Sequence, residues 1–367
     1  MLRSAKASLA LVSPCVVAAV LLTAGCATVP KPISDCRSLS LDPAPLWIAG
    51  AAWSPSGDEL WVVDPEERNL IVYGMDGQFR RRHGGSEVAA FDFHNPLRLE
   101  TRRRGVVLGD RTRLVELGPA DGSSRPVFSG VPGAEGVFLS DWTRDDDAVV
   151  AYADIQVDEE TWHRGFARFE DDRWRILQEL PLEVGGEYER YYRYDARPYV
   201  VRAGGDVYVL RYLDPPVLFR AGRSGLEAVW TVDGLPGEVT RLASDGERLF
   251  VLSQKVVETE DGEGLELPKF LGGQLDAATL ARAQHLAEQT IDHYVTLVDP
   301  RRGAVWTRRL PTDERAVSVV PGARAWALIT SSGLPDTGKE SGAETRVSLL
   351  PGDWWRRAAL PASCRKE

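Results

Sequence analysis

The residues best suited to chemistry stand in one short run, Gly185-Gly186-Glu187-Tyr188-Glu189-Arg190-Tyr191-Tyr192-Arg193-Tyr194, which places four tyrosines and two arginines in ten positions. Tyrosine rings and guanidinium planes offer stacking surfaces with polar edges, suited to a sugar, an aromatic ligand or a protein partner. Tyr194 is expected to enter a sheet core instead, while for Tyr191 and Tyr192 both fates stay open. Trp162 and His163 make a second aromatic spot. The candidate contact set is therefore Tyr188, Arg190, Tyr191, Tyr192, Trp162 and His163. Nucleophile and metal chemistry is not written in any local motif. There is no Gly-x-Ser-x-Gly elbow, no His-Glu-x-x-His and no phosphate-cradling glycine loop, and the chain has only 5 histidines. His285 and His293 lie too far apart for one metal and are expected at the surface. The acidic run 258–264 lacks the alternating oxygen ligands of a calcium loop and is expected to be a solvated tip. No catalytic residue, metal ligand or cofactor is assigned.

The N-terminus carries an address. Arg3 and Lys6 precede an uncharged Ala/Val/Leu stretch from Leu9 to Leu22, followed by Thr23-Ala24-Gly25-Cys26. An ordinary cleaved signal peptide or an N-terminal membrane helix would share the apolar stretch. Leu22-Thr23-Ala24-Gly25-Cys26 resembles the lipobox of bacterial lipoproteins. That resemblance implies acylation of Cys26, which would anchor the chain to a membrane at about 0.8 kcal/mol per buried methylene. Ala27 beside the cysteine is similar to lipoproteins sent to the outer membrane. The expected location is thus the cell envelope, on the outer membrane and facing the periplasm or the cell surface. Residues 1–26 form the signal, residues 27–35 a short tether with two prolines, and residues 36–367 the folded domain.

Two further cysteines, Cys36 and Cys364, bracket that domain. In an oxidising compartment they are expected to form a disulfide, with two unpaired thiols as the alternative. A bridge across so long a loop would stabilise the fold by roughly 5 kcal/mol in the loop-entropy model. It also requires the chain ends to meet. The formal net charge is −10, and removing Arg3 and Lys6 takes it to −12. Such a chain lacks the basic stripe of a nucleic-acid binder, so nucleic acid is excluded as a partner and a monomer is expected.

What positions these residues is a repeat. The segment 59–81 holds two short β runs, Trp61–Val63 and Leu70–Tyr73, then a Met75-Asp76-Gly77 turn and a third run. The pattern recurs at 104–128, 147–180, 205–232, 247–310 and 323–360, each time preceded by a short extended piece ending in a turn. Six units of four strands spell an all-β, six-bladed β-propeller of four-stranded antiparallel blades. Seven blades remain possible if the first segment or the insertion in the fifth unit hides another sheet. Trp61, Tyr73, Trp174, Tyr208, Trp230, Phe250, Trp306 and Trp326 are expected between blades, and ring closure would bring Cys36 to Cys364. The phrases Ser56-Gly57-Asp58-Glu59-Leu60-Trp61-Val62-Val63-Asp64 and Asn69-Leu70-Ile71-Val72-Tyr73-Gly74-Met75-Asp76-Gly77 resemble the repeats of NHL- and TolB-like six-bladed propellers. The resemblance implies architecture rather than function.

Propeller topology sends the connections between second and third strands, and those from one blade to the next, to the same face. The segments 154–164, 181–192, 256–292 and 331–345 all belong there, so that face is expected to bind. The insertion 256–292 is expected to carry a helix from Asp276 to about Asp292, N-capped by Asp276, with Leu280, Ala283, Ala287 and Ile291 as its apolar stripe. The favoured function is a binding or scaffolding module for an envelope protein, a glycan or a small molecule. The alternative is a divalent-metal-dependent lactonase or esterase of the gluconolactonase-like type, holding a cation such as calcium in the channel. That resemblance implies a Glu from the first blade with Asn and Asp from later ones. Here the first inner strand, Ala51-Ala52-Trp53, has no carboxylate, and Glu135, Asn95 and Asp245 are the residues that could stand in.

Overall fold

The structure is a computed structural model. Residues 1–31, 46–47, 65–68, 85–97, 103–104, 110–111, 119–123, 130–135, 159, 181–198, 212–215, 258–290, 313–315, 332–344 and 358–367 lie outside the described residues. The described strands form six four-stranded antiparallel sheets, which settles the blade count at six. Blade 1 is β2 (Gly50–Trp53), β3 (Glu59–Asp64), β4 (Asn69–Gly74) and β5 (Phe79–Gly84), in that order from the inside outward. Blade 2 is β6 (Arg98–Arg102), β7 (Gly105–Gly109), β8 (Arg113–Leu117) and β9 (Ser124–Ser129). Blade 3 is β10 (Val137–Asp145), β11 (Ala148–Gln156), β12 (Trp162–Glu170) and β13 (Arg173–Leu180). Blade 4 is β14 (Tyr199–Ala203), β15 (Asp206–Arg211), β16 (Val217–Ala221) and β17 (Leu226–Thr231). Blade 5 is β18 (Glu238–Ser244), β19 (Leu249–Val256), β20 (Ile291–Asp299) and β21 (Gly303–Arg309).

Blade 6 closes the ring in a way the repeats do not announce. Its inner three strands are β22 (Ala316–Val320), β23 (Ala325–Ser331) and β24 (Thr345–Pro351), but the fourth is β1 (Arg37–Leu39), supplied by the start of the domain. Arg37 pairs with Leu349, Ser38 with Ser348 and Leu39 with Val347. The run after β24, expected as the outer strand, instead turns into a 3₁₀ helix over Trp354–Arg356. The reason lies in the side chains. Consecutive residues of a strand face opposite sides, whereas the tight turn buries both Trp354 and Trp355 in one cluster with Phe250 and Trp326. The two ring pairs Trp326–Trp354 and Phe250–Trp355 are edge-on, with centroids 5.5 Å and 6.1 Å apart.

A four-stranded blade has two apolar faces, and ring stacking covers both. Trp61 packs against Leu99 and Val106 of blade 2, Tyr73 against Ala327 and Leu349 of blade 6, and Phe250 against Trp326 across the blade 5–6 interface. Tyr208 is buried between blades 4 and 5, with Trp230 partly buried beside it. Trp174 and Trp306 likewise lie partly buried against interblade clusters. Trp142, fully buried between blades 2 and 3, belongs with them. Burial raises the Tyr73 hydroxyl to about 12, and that hydroxyl donates to the Pro43 carbonyl at 2.6 Å.

Most of the expected helix, 276–290, lies outside the described residues. Its expected end does not hold: Ile291 and Asp292 open β20, and His293 follows in the same strand, buried rather than at the surface. A residue buried in the second or third strand of a blade is claimed by the ladder whatever precedes it. Among the described residues the only helix is the 3₁₀ turn at Trp354.

Candidate functional site

Two places gather polar or aromatic side chains that the core does not absorb. The first is the loop-bearing face of blade 3. The segment 154–164, expected as a loop, is an extension of the β11–β12 hairpin: Asp154 pairs with Arg164, Ile155 with His163 and Gln156 with Trp162. Arg164 grips Asp154 with two parallel bonds, the second 2.9 Å from Nη2 to Oδ2, a fork geometry that fixes the hairpin sideways. Its tip is tied by Asp158, whose carboxylate accepts from the Glu160 and Thr161 amides at 3.0 and 2.8 Å. The Thr161 side-chain hydrogen bond and then the Glu160 and Thr161 amides hold Asp158 below the usual carboxylate range.

On this scaffold Phe138 and Trp162 stack with centroids 5.7 Å apart and planes inclined by 22°. Phe138 is 45% exposed and Val157, at the hairpin tip, 54%. Gly136, with φ +70°, lies against the six-membered end of the Trp162 ring, where any Cβ would collide with it. His163 Nδ1 stands 2.6 Å from Glu179 on β13. Trp162 and His163 are therefore consecutive, half-buried strand residues whose side chains leave opposite sides of β12. Tyr188, Arg190, Tyr191, Tyr192 and Tyr194 lie outside the described residues, as do Cys26 and Cys364. Cys36 is buried one residue before β1, in the cluster of Trp354 and Trp355.

The second place is the channel. Innermost strands are sheet edges, so their outward backbone groups need partners. Side chains of neighbouring blades supply them. Trp53 Nε1 donates to the Val320 carbonyl at 3.1 Å, and Thr101 donates to the Trp53 carbonyl at 2.7 Å. Glu100 accepts from the Thr143 hydroxyl at 2.7 Å and from the Arg144 amide at 3.2 Å. Arg98 of blade 2 reaches Asp141 of blade 3 and the Val200 carbonyl of blade 4, at 2.5 and 2.6 Å. The Val200 amide in turn donates to Asp141 at 2.8 Å. Burial alone would lower Arg98, but Asp141 and Glu100 outweigh it and leave the guanidinium above its ordinary value.

Opposite this closed knot stands Arg241 on β18, whose Nη1 donates to the Ser318 hydroxyl of β22 at 2.8 Å. Burial, then the positive charge of Arg98, push Arg241 below its ordinary value, and Asp141 and Tyr199 offset this only in part. Both Asp141 and Arg241 follow β-bulges, between Leu139 and Asp141 and between Val239 and Arg241. A bulge re-aims the side chain beside it. Sequence reasoning missed these channel residues, although a signal existed. Leu139 and Trp142, like Val239 and Leu242, are buried residues three apart within a strand, a spacing that regular alternation forbids.

The described residues do not by themselves assemble the cation site of the alternative function. Among the described residues no three His, Cys, Asp or Glu side chains cluster as metal ligands. Asp245 is a turn former, accepting from the Glu247 and Arg248 amides at 3.1 and 2.8 Å. Asn95 and Glu135 lie outside the described residues.

No family model matches the chain, and no curated protein matches it in sequence. Solved structures do match in fold. A member of the DUF4221 family from Bacteroides vulgatus superposes with a TM-score of 0.55 at 9% identity, covering 87% of this chain and 97% of that one. Regucalcin, a calcium-binding protein from Agrobacterium tumefaciens, gives 0.43 at 12% identity over 86% and 94% of the two chains. A streptogramin B lyase gives 0.43 at 11% identity over 86% and 97%. At such identities the likeness is one of fold alone.

Proposed function

We propose that the protein is a lipid-anchored propeller of the cell envelope that binds a partner or ligand through its loop-bearing face. The observation that carries this is the stacked Phe138–Trp162 pair, its Phe138 ring exposed and Trp162 half-buried, beside an extended hairpin braced by Arg164 and Asp154. Apolar aromatic area held rigidly at a surface loses little entropy on binding, which is why such residues anchor interfaces. In chain order the tyrosine- and arginine-rich segment 185–194 comes between β13 and β14, and on this reading Tyr188, Arg190, Tyr191 and Tyr192 extend the contact surface. Cys26 carries the acyl anchor. A Cys36–Cys364 disulfide locks the strand that closes the ring, a role favoured by the burial of Cys36 beside β1.

Two experiments test this. Metabolic labelling with an alkyne fatty acid should tag the wild-type chain and not Cys26→Ser; equal labelling of both removes the anchor. A benzophenone side chain in place of Trp162, irradiated in intact cells, should give a discrete adduct. The same group at Ser224, an exposed turn residue between β16 and β17 on the opposite face, should give none. Matching patterns at the two positions would sink the binding face.

A further inference from the structure

The channel is not electrically balanced, and its imbalance has a position. Blades 2 and 5 lie opposite each other in a ring of six, yet Arg98 of one and Arg241 of the other influence each other's charge. Arg241 stands on the innermost strand of blade 5 and reaches Ser318 on the innermost strand of blade 6, which sets it beside the channel. Asp141 is the carboxylate that acts on both, and it is already occupied by Arg98 and the Val200 amide. Arg241 has no carboxylate within ion-pair distance among the described residues, and its partner is a neutral hydroxyl.

A guanidinium has five N–H donors, and Ser318 takes one of those of Arg241. The rest are not among the buried polar atoms that lack a partner, and Arg241 is itself only partly buried. Ser318, having accepted from Arg241, keeps its own O–H to donate. Several donors and a net positive charge therefore converge from two adjacent inner strands, in a protein whose formal net charge is −10. The β18 bulge lets Val239 and Leu242 both be buried and re-aims Arg241 between them.

We propose that Arg241 and Ser318 form an anion site in the central channel, taking the carboxylate or phosphate group of a small molecule. The guanidinium fork matches the paired oxygens of either group, and the Ser318 hydroxyl adds a donor from the next blade. Arg98 stays with Asp141 and contributes field, not contact. The site is separate from the aromatic rim of blade 3, and neither depends on the other.

The test is thermal melting of the full chain in detergent, at fixed ionic strength, with chloride exchanged stepwise for inorganic phosphate or for acetate. The melting temperature should rise with the logarithm of anion concentration, by about 2 °C at tenfold the dissociation constant. A rise with phosphate alone identifies a tetrahedral group, and a rise with acetate alone a planar one. Arg241→Met and Arg241→Gln should both lose the rise, Ser318→Ala should weaken it, and Trp162→Ala should keep it. Identical melting in phosphate, acetate and chloride would overturn the site, as would a rise that persists in both Arg241 variants.

Discussion

The two sides of the channel use the same residue type to opposite ends. On the side of blades 2 to 4, Arg98 is enclosed by a carboxylate and a backbone carbonyl, and Asp141 is doubly bonded in return. Each group there satisfies another, so the knot ties three inner strands together. On the side of blades 5 and 6, Arg241 meets one hydroxyl. The first arrangement is structure. The second is a partly buried charge with donors to spare, and the contrast shows that an arginine's role in a channel is set by whether a carboxylate comes with it.

Removing Arg98 should break the comparison most visibly. Arg98→Met strands Asp141 and the Val200 carbonyl, and should cost about 3–5 kcal/mol in urea unfolding. Adding Asp141→Leu sharpens the point: with no carboxylate left behind, the double variant should recover most of that loss, to within about 2 kcal/mol of wild type, because an apolar pair can replace a buried ion pair. A double variant no better than the single would show that the strands need the charges themselves. Thr143→Val probes the next layer of the same side. It removes the hydroxyl donor to Glu100, and should cost about 1–2 kcal/mol by the same measurement.

The smallest effect is expected from pH, and from outside the channel. His83 stacks on Trp61 at 5.6 Å, and burial, followed by the nearby charge of Arg81, holds its pKa below the usual 6.5. The fold thus favours the neutral ring. Stability is full above pH 6.5, falls as pH drops through 6.5 toward the lowered folded value, and levels off beneath it. The melting temperature should decline modestly between pH 7 and 5, and His83→Phe should flatten that part of the curve. A decline unchanged in His83→Phe would place the titrating group elsewhere.

Much of the ring is legible in the residues. Trp61, Phe250 and Trp326 recur near the start of the second strand of their blades, Tyr73 stands on the third strand of the first, and all four are fully buried between blades. The closing strand was not legible, because Arg37–Leu39 is three residues long and shows no periodicity, while Trp354-Trp355 looks more like a strand than the 3₁₀ turn it forms. Trp162 and His163 stood out by type, but as members of a loop. Their place on a nine-residue strand depends on pairing with β11, which no local pattern encodes. The channel was hidden for a related reason. Arg98, Asp141 and Arg241 are 43 and 100 residues apart in sequence, and two bulges displace the last two from the faces that alternation assigns them.

The most direct measurement is a side-by-side urea unfolding of Arg98→Met and Arg241→Met with no added anion. If one arginine is structure and the other a site awaiting its ligand, Arg98→Met should lose several kcal/mol, while Arg241→Met should match or exceed wild type. Equal losses in the two variants would contradict the account, for Arg241 would then be holding the ring together as Arg98 does.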